Sequence, residues 1–216
     1  MKFYDAVGPN PRLVRMFMAE KGIEIPSQNI DIMAGENRAG DYLEKNPFGQ
    51  MPALELDDGT VLAETTAICQ YLEEQNPTPP LFGSTPQERA EALMWTLRVM
   101  IGVTEPQSAG FRFAEGLSMF KDRMHCMPEA ADDFKTVARK GLAHFDTILA
   151  DRDYIVGDRF TVADIVLYCL MDFFGGVGQP RDPSQKNIEA WFQRVNGRAS
   201  AEASLHPIAK GGGMRA

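Results

Sequence analysis

Residues 76–87 read NPTPPLFGSTPQ, with four prolines and a glycine in one short run. Proline fixes φ and removes a backbone donor, so no regular element survives at that density. The run cuts the chain into two parts that cannot share a continuous element. We therefore expect a first domain over 1–75, a linker over 76–86 and a second domain over 87–216.

The two parts differ in periodicity. Residues 2–7 read as a strand, and residues 12–21 as a helix with Leu13, Val14, Phe17 and Met18 on one stripe. Ile30 and Ile32 flank Asp31 at strand period, and residues 42–45 end a weaker helix. Asp57, Asp58 and Gly59 separate two short apolar runs, and Gly tolerates the positive φ of a tight hairpin turn. Another helix starts near Thr65 with Ile68, Tyr71 and Leu72 inward. Beyond the break only helical stripes remain, among them Ala90, Leu93, Met94, Leu97 and Met100. Residues 162–174 are apolar nearly all round, which predicts a central buried helix. Ahead of it, Thr161 and Asp164 have the spacing of a capping box, and Phe160 and Ile165 that of a hydrophobic staple. The expected class is an α/β domain followed by an all-helical one.

Composition narrows the function. The formal charge is 22 − 30 = −8, so a basic nucleic-acid face is not expected. No apolar run approaches the ~18 residues of a membrane span. Residues 1–10 lack the apolar core and cleavage site of a signal peptide, which predicts a cytoplasmic protein without a membrane partner. Cys69, Cys126 and Cys169 lie far apart with no CxxC, as in a reducing compartment, and read as buried small hydrophobes. His125, His144 and His206 have no ligand spacing, so no metal is expected. The tail, residues 210–216, is expected to be mobile.

Three places in the first part can carry chemistry. Gly8-Pro9-Asn10-Pro11-Arg12 joins the first strand to the first helix, with Asn10 in the role of N-cap and Pro11 in the first turn. That helix end would point outward, with free N–H donors and partial positive charge that attract anions, thiolates included. Pro52 precedes the third strand, and spacing alone argues against a cis bond, since about 5–6% of X–Pro bonds are cis. Glu64-Thr65 closes the hairpin and opens the next helix, where capping is the competing role.

Asn46-Pro47-x-Gly49-x-x-Pro52 and Asp58-Gly59-x-x-Leu62-x-Glu64-Thr65-x-Ala67-Ile68, in this order of elements, resemble the cytosolic glutathione S-transferases. Residues 157–165, GDRFTVADI, match the capping segment of that family. The resemblance covers almost the whole chain, and is to bacterial, hydroxyl-free variants of the serine- and cysteine-type classes. It implies a thioredoxin-like domain that binds glutathione as co-substrate, and a helical domain that supplies most of the second-substrate pocket. It implies a cis Pro52 with the Met51 backbone, next to Gln50, pairing the cysteinyl part of the tripeptide. It gives Glu64 and Thr65 to the γ-glutamyl end, and Asn37 or Arg38 to the glycyl carboxylate. It also implies a homodimer, with Gln70, Glu73, Met94 and Arg98 as interface candidates.

One departure matters. Where many members carry a Ser, Tyr or Cys beside the sulfur, this chain has Gly8-Pro9-Asn10. Some bacterial relatives use an Asn there, so Asn10 is the catalytic candidate, while Tyr4 resembles the structural aromatic of the first strand. Lowering a thiol pKa from about 8.5 to about 6.5 takes roughly 2.7 kcal/mol. A helix end supplies about 0.3–1 kcal/mol, up to about 2, and one hydrogen bond to a charged group about 1.5–3. The two together reach the target, and Arg12 or Arg15 could add a cation. By resemblance, Trp95, Phe111, Arg112, Phe113 and Met119 fall in the region that faces the sulfur, and their types suit a bulky aromatic electrophile. The expected activity is glutathione transfer to such a molecule. The competing readings are glutathione-dependent disulfide or peroxide reduction, and a non-catalytic binding module.

Overall fold

In the computed structural model, which describes residues 1–209 and 215–216, β1 (Lys2–Asp5) carries the sheet. Helix α1 (Pro9–Lys21) follows, then β2 (Ser27–Asn29), α2 (Gly40–Lys45), β3 (Ala53–Glu55), β4 (Val61–Ala63) and α3 (Thr65–Gln75). The sheet order is β2-β1-β3-β4, with β1 parallel to β2 and antiparallel to β3, and β3 antiparallel to β4. Ala53 sits between Tyr4 and Ala63 in register, so the third strand is central. The Gly59 turn forms as expected, with φ 86 and Leu56 N–H donating to the Thr60 carbonyl at 2.8 Å. β2 is not the Ile30–Ile32 alternation but the exposed Ser27–Asn29 beside it. Ile30 is buried just past it, its N–H bonded to the Asp5 carbonyl at 2.8 Å.

The α1 stripe behaves as its spacing predicts: Leu13, Val14 and Phe17 are buried, with Met16. Each such side chain contributes about 1.5–3 kcal/mol by leaving water. A buried ion pair, Lys21 Nζ to Glu73 Oε2 at 2.6 Å, ties α1 to α3. The same two side chains hold the proline-rich run: Lys21 donates to the Pro79 carbonyl at 2.6 Å, and Glu73 Oε1 accepts from Phe82 N–H at 3.0 Å. The expected linker over 76–86 is therefore corrected. Met1–Phe82 forms one unit with Arg198–Ala216, and Gly83–Gly197 forms the other. Glu73, proposed from sequence for a dimer face, is spent inside the first unit.

The second unit is helical: α4 (Pro86–Val99), a π-helical turn (Met100–Thr104), α5 (Glu105–Phe113), α6 (Leu117–Phe120), α7 (Ala131–Ile148), α8 (Val162–Gly176) and α9 (Lys186–Asn196). The α4 stripe does not face the core. Ala92, Thr96 and Val99 are buried, whereas Leu93, Met94 and Leu97 are exposed and border an open apolar groove of about 920 Å³ with Trp95, Ile101 and Phe145. α8 is the buried axis, as its composition predicts.

Asp164 fastens the start of α8. Its Oδ2 accepts from Thr161 N–H at 2.9 Å, and its Oδ1 from Ile155 N–H at 2.9 Å and from the Trp191 indole on α9 at 2.8 Å. Burial pushes its carboxyl up from 3.8 to about 6, against the pull of these donors.

Helix α10 (Ala199–Ala203) and the chain end return to the first unit, so the second domain does not run to residue 216 as expected. Residues 210–214 of the expected mobile tail lie outside the described residues. Ala216 is buried, and its carbonyl accepts from His206 N–H at 2.8 Å.

Replacing Asp164 by Ala leaves three buried N–H groups unpaired and should cost on the order of 2–4 kcal/mol at pH 7, read by urea denaturation. The folded carboxyl holds its proton to higher pH than the unfolded one. The stability advantage of wild type over Asp164→Ala should therefore shrink as pH rises from about 4 to about 6 and then level off.

Candidate functional site

Gly8, not Asn10, caps α1, with φ 150 and ψ 162 and no side-chain cap bond. Pro9 and Asn10 are then the first two helical residues, and Pro11 the third. A free hydroxyl-bearing residue is disfavoured at Gly8 because this φ suits glycine. The two prolines also remove two of the N–H groups that an α-helix start normally offers. Arg12 N–H is already used by the Gly8 carbonyl at 3.2 Å. Asn10 therefore brings the one free backbone donor of this turn and, exposed and without a side-chain bond among the described residues, a free amide as well.

The arginines expected to add a cation are engaged elsewhere. Arg12 is fully buried and donates to Ser204 Oγ at 3.3 Å, the Ala201 carbonyl at 3.2 Å and the Arg215 carbonyl at 3.1 Å. Arg15 pairs with Asp5 and donates to the Ser204 carbonyl at 2.7 Å. The C-terminal segment thus grips α1 one turn from Asn10. Tyr4 is structural, as read: its hydroxyl donates to Glu55, its ring packs edge-on against Tyr42 at 5.8 Å, and burial raises its pKa.

The loop before β3 is held from beneath. Tyr42 hydroxyl and Asn46 Nδ2 both donate to the Gln50 carbonyl, at 2.6 and 2.8 Å. The Met51–Pro52 bond is cis, and Met51 stands outside the ladder, which begins at Ala53. Asn37 is buried, its Nδ2 spent on the Gly49 carbonyl at 2.6 Å and its Oδ1 without a partner. Arg38 beside it is exposed, held by the Phe48 carbonyl at 3.2 Å. Tyr42 was not singled out by sequence; its aromatic between polar residues was the available signal.

Glu64 is the one non-glycine residue with positive φ among the described residues, at 65. It occupies the N-cap position of α3 by backbone, its carbonyl accepting from Ile68 N–H at 3.0 Å, but its side chain caps nothing and is exposed. Thr65 follows, partly exposed, and no proline removes donors from this helix start. Chemically, an unused carboxylate can pair with an ammonium and open helix N–H groups with a carboxylate.

In the second unit the five pocket candidates separate. Trp95 packs on Phe145 at 6.2 Å and borders the α4 groove. Phe113 is buried against Phe134 at 5.7 Å and is core. Phe111 sits among Phe120, Phe173 and Phe174 at 5.7–6.2 Å, with Arg112 over the Phe120 ring at 5.9 Å. Met119 lies on α6, next to Phe120. Phe173 and Phe174 are buried with the rest of the apolar helix, so most of this cluster is core.

A four-stranded mixed sheet with a cis proline before its central antiparallel strand, joined to a helical unit, defines a thioredoxin-like domain with a helical partner. The family models for the glutathione S-transferase N-terminal domain and C-terminal domain match residues 7–75 and 117–199. The chain is similar to glutathione S-transferase 2 of Saccharomyces cerevisiae, 33% identical over 95% of this chain and 89% of that protein. The crystal structure of Gtt2 from the same yeast superposes with TM-score 0.87 at 31% identity, over 95% of this chain and 100% of that one. A glutathione S-transferase domain-containing protein of Marinobacter aquaeolei superposes with TM-score 0.85 at 35% identity, over 93% and 99% of the two chains. The chain belongs to the glutathione S-transferase family.

Two backbone positions should respond oppositely. Gly8→Ser should lower stability by about 1–3 kcal/mol, despite supplying the hydroxyl. Glu64→Gly should raise stability by up to about 1 kcal/mol while weakening glutathione binding. Thermal melts and glutathione titrations check both.

Proposed function

We propose that this chain is a glutathione transferase that ionises the glutathione thiol at Asn10 and directs it to an aromatic electrophile. The observation that carries the reading is Glu64: a backbone conformation that costs stability is kept where an unengaged carboxylate meets an open helix start. The γ-glutamyl ammonium goes to Glu64, and its carboxylate to Thr65 and the α3 N–H groups. The Met51 backbone takes the cysteinyl unit as an added strand. Arg38 takes the glycyl carboxylate, because Asn37 is committed to Gly49.

The sulfur lies at the start of α1. With two of the first helical N–H groups missing, the helix end contributes less than in an ordinary helix, so the Asn10 amide carries the larger share. Asn10 donates to the thiolate, the thiol proton passes to solvent, and the sulfur attacks the electrophile. The absent hydroxyl at Gly8 favours one second reading, reduction of glutathionyl mixed disulfides, which also needs only a thiolate. The exposed apolar face of α4, with Leu93 46%, Leu97 45% and Ile101 71% exposed, suits the homodimer that the family leads us to expect. A cytoplasmic location accords with the reading.

Calorimetry with reduced glutathione should show saturable binding, and Glu64→Ala should weaken it about 10–100-fold. Asn10→Ala should raise the thiol pKa of the bound tripeptide by about 1–2 units in an ultraviolet thiolate titration. No saturation at millimolar glutathione sinks the reading, and an unchanged thiol pKa removes Asn10 from it.

A further inference from the structure

We infer that Arg12 is a positioning residue of the thiolate site: its buried guanidinium fixes the direction in which Asn10 presents its amide. The inference rests on the transferase reading above and adds to it the residue that holds the proposed donor.

The turn that carries Asn10 has little of its own to hold it. Pro9 and Pro11 have no N–H to donate, and Gly8 ahead of them is the residue type with the freest backbone. The first hydrogen bond across this turn, from Arg12 N–H to the Gly8 carbonyl, is 3.2 Å long, at the far end of the ordinary range. Asn10 is exposed, whereas Arg12, two positions on, is fully buried. Residues two apart on an α-helix stand about 200° apart around its axis, so these two side chains leave one turn on nearly opposite faces. The turn cannot rotate Asn10 without also rotating Arg12.

Arg12 is held at separate points. Its Nε donates to Ser204 Oγ at 3.3 Å, one terminal nitrogen to the Ala201 carbonyl at 3.2 Å and the other to the Arg215 carbonyl at 3.1 Å. Ser204 is itself fixed, its hydroxyl donating to the Ala201 carbonyl at 3.0 Å. A planar guanidinium bonded through every nitrogen has one orientation, and turning it would leave a buried cation short of partners, which is costly. The far end of α1 has its own ties, Glu20 to Arg198 at 2.7 Å and Lys21 to Glu73 at 2.6 Å, so Arg12 acts on the first turn itself. Its charge lies on the face of the helix away from Asn10. Its effect therefore reaches the sulfur through the direction of the amide, and hydrogen bonds weaken steeply with misalignment.

The test reads the thiol pKa of bound glutathione by ultraviolet titration in wild type, Arg12→Met, Arg12→Lys, Asn10→Ala and the Asn10→Ala/Arg12→Met double variant. Arg12→Met should raise that pKa by about 0.5–1 unit, because the amide hydrogen bond is weakened but not removed. Arg12→Lys, which keeps the charge but not the fork, should raise it as well. Affinity for S-methylglutathione, which has no thiol to ionise, should change by less than about twofold, and a larger loss marks general damage and overturns the inference. In the Asn10→Ala background Arg12→Met should add nothing, since the group it positions is gone. An equal rise with and without Asn10, or a wild-type value in Arg12→Lys, assigns the effect to charge and overturns the inference. A lower melting temperature in Arg12→Met with an unchanged thiol pKa overturns it too. If Arg12→Met does not fold, Ser204→Ala removes one of the acceptors and should give a smaller rise that also vanishes without Asn10. An unchanged thiol pKa in Asn10→Ala sinks the Asn10 assignment and this inference together. A raised value in Asn10→Ala beside a wild-type value in Arg12→Met sinks this inference alone.

Discussion

The first turn of α1 keeps few backbone donors, and much of the first unit holds that turn in place. Pro9 and Pro11 remove backbone donors, and Gly8 holds a φ of 150. What is left is Asn10, with one N–H and one amide. A lone donor is useful only if it is held still, and α1 is held from two sides. Lys21 and Glu73 bind its C-terminal end to α3 and to the proline-rich run. Arg12 and Arg15 bind its N-terminal half to the returning chain end. The fold fixes the position of Asn10 through contacts made elsewhere in the first unit.

Glu64 shows the same economy from the opposite direction. Most residues at a helix start lower the energy by capping it; Glu64 holds a disfavoured φ and leaves its carboxylate unused. The loop that ends at Pro52 is the rigid counterpart, its Gln50 carbonyl gripped by Tyr42 and Asn46.

The second unit separates structural from available groups. Asp164, buried and satisfied by three N–H donors, joins the start of α8 to α9. Phe113 fills the core between α5 and α7. Phe111 and Arg112 precede it on the same helix, yet one belongs to an aromatic cluster and the other lies over the Phe120 ring with no acceptor among the described residues. Neighbouring positions on one helix differ in role because the helix turns each to a different environment.

Much of this was legible in the chain. Local chemistry determined the order of strands and helices, the Gly59 turn, the Thr161–Asp164 helix start, the central buried α8 and the break near residue 80, because propensities, caps and periodicity act within a few residues. Motif order pointed to the family, to Pro52 and to Glu64-Thr65. Tertiary structure alone decided that Gly8 caps α1, that Arg12 is buried on a segment 192 positions away, that Asn37 is spent on Gly49 and that the α4 stripe faces outward. Periodicity states that a face is apolar but not what covers it, and a charged side chain finds its partner only when distant parts of the chain have come together.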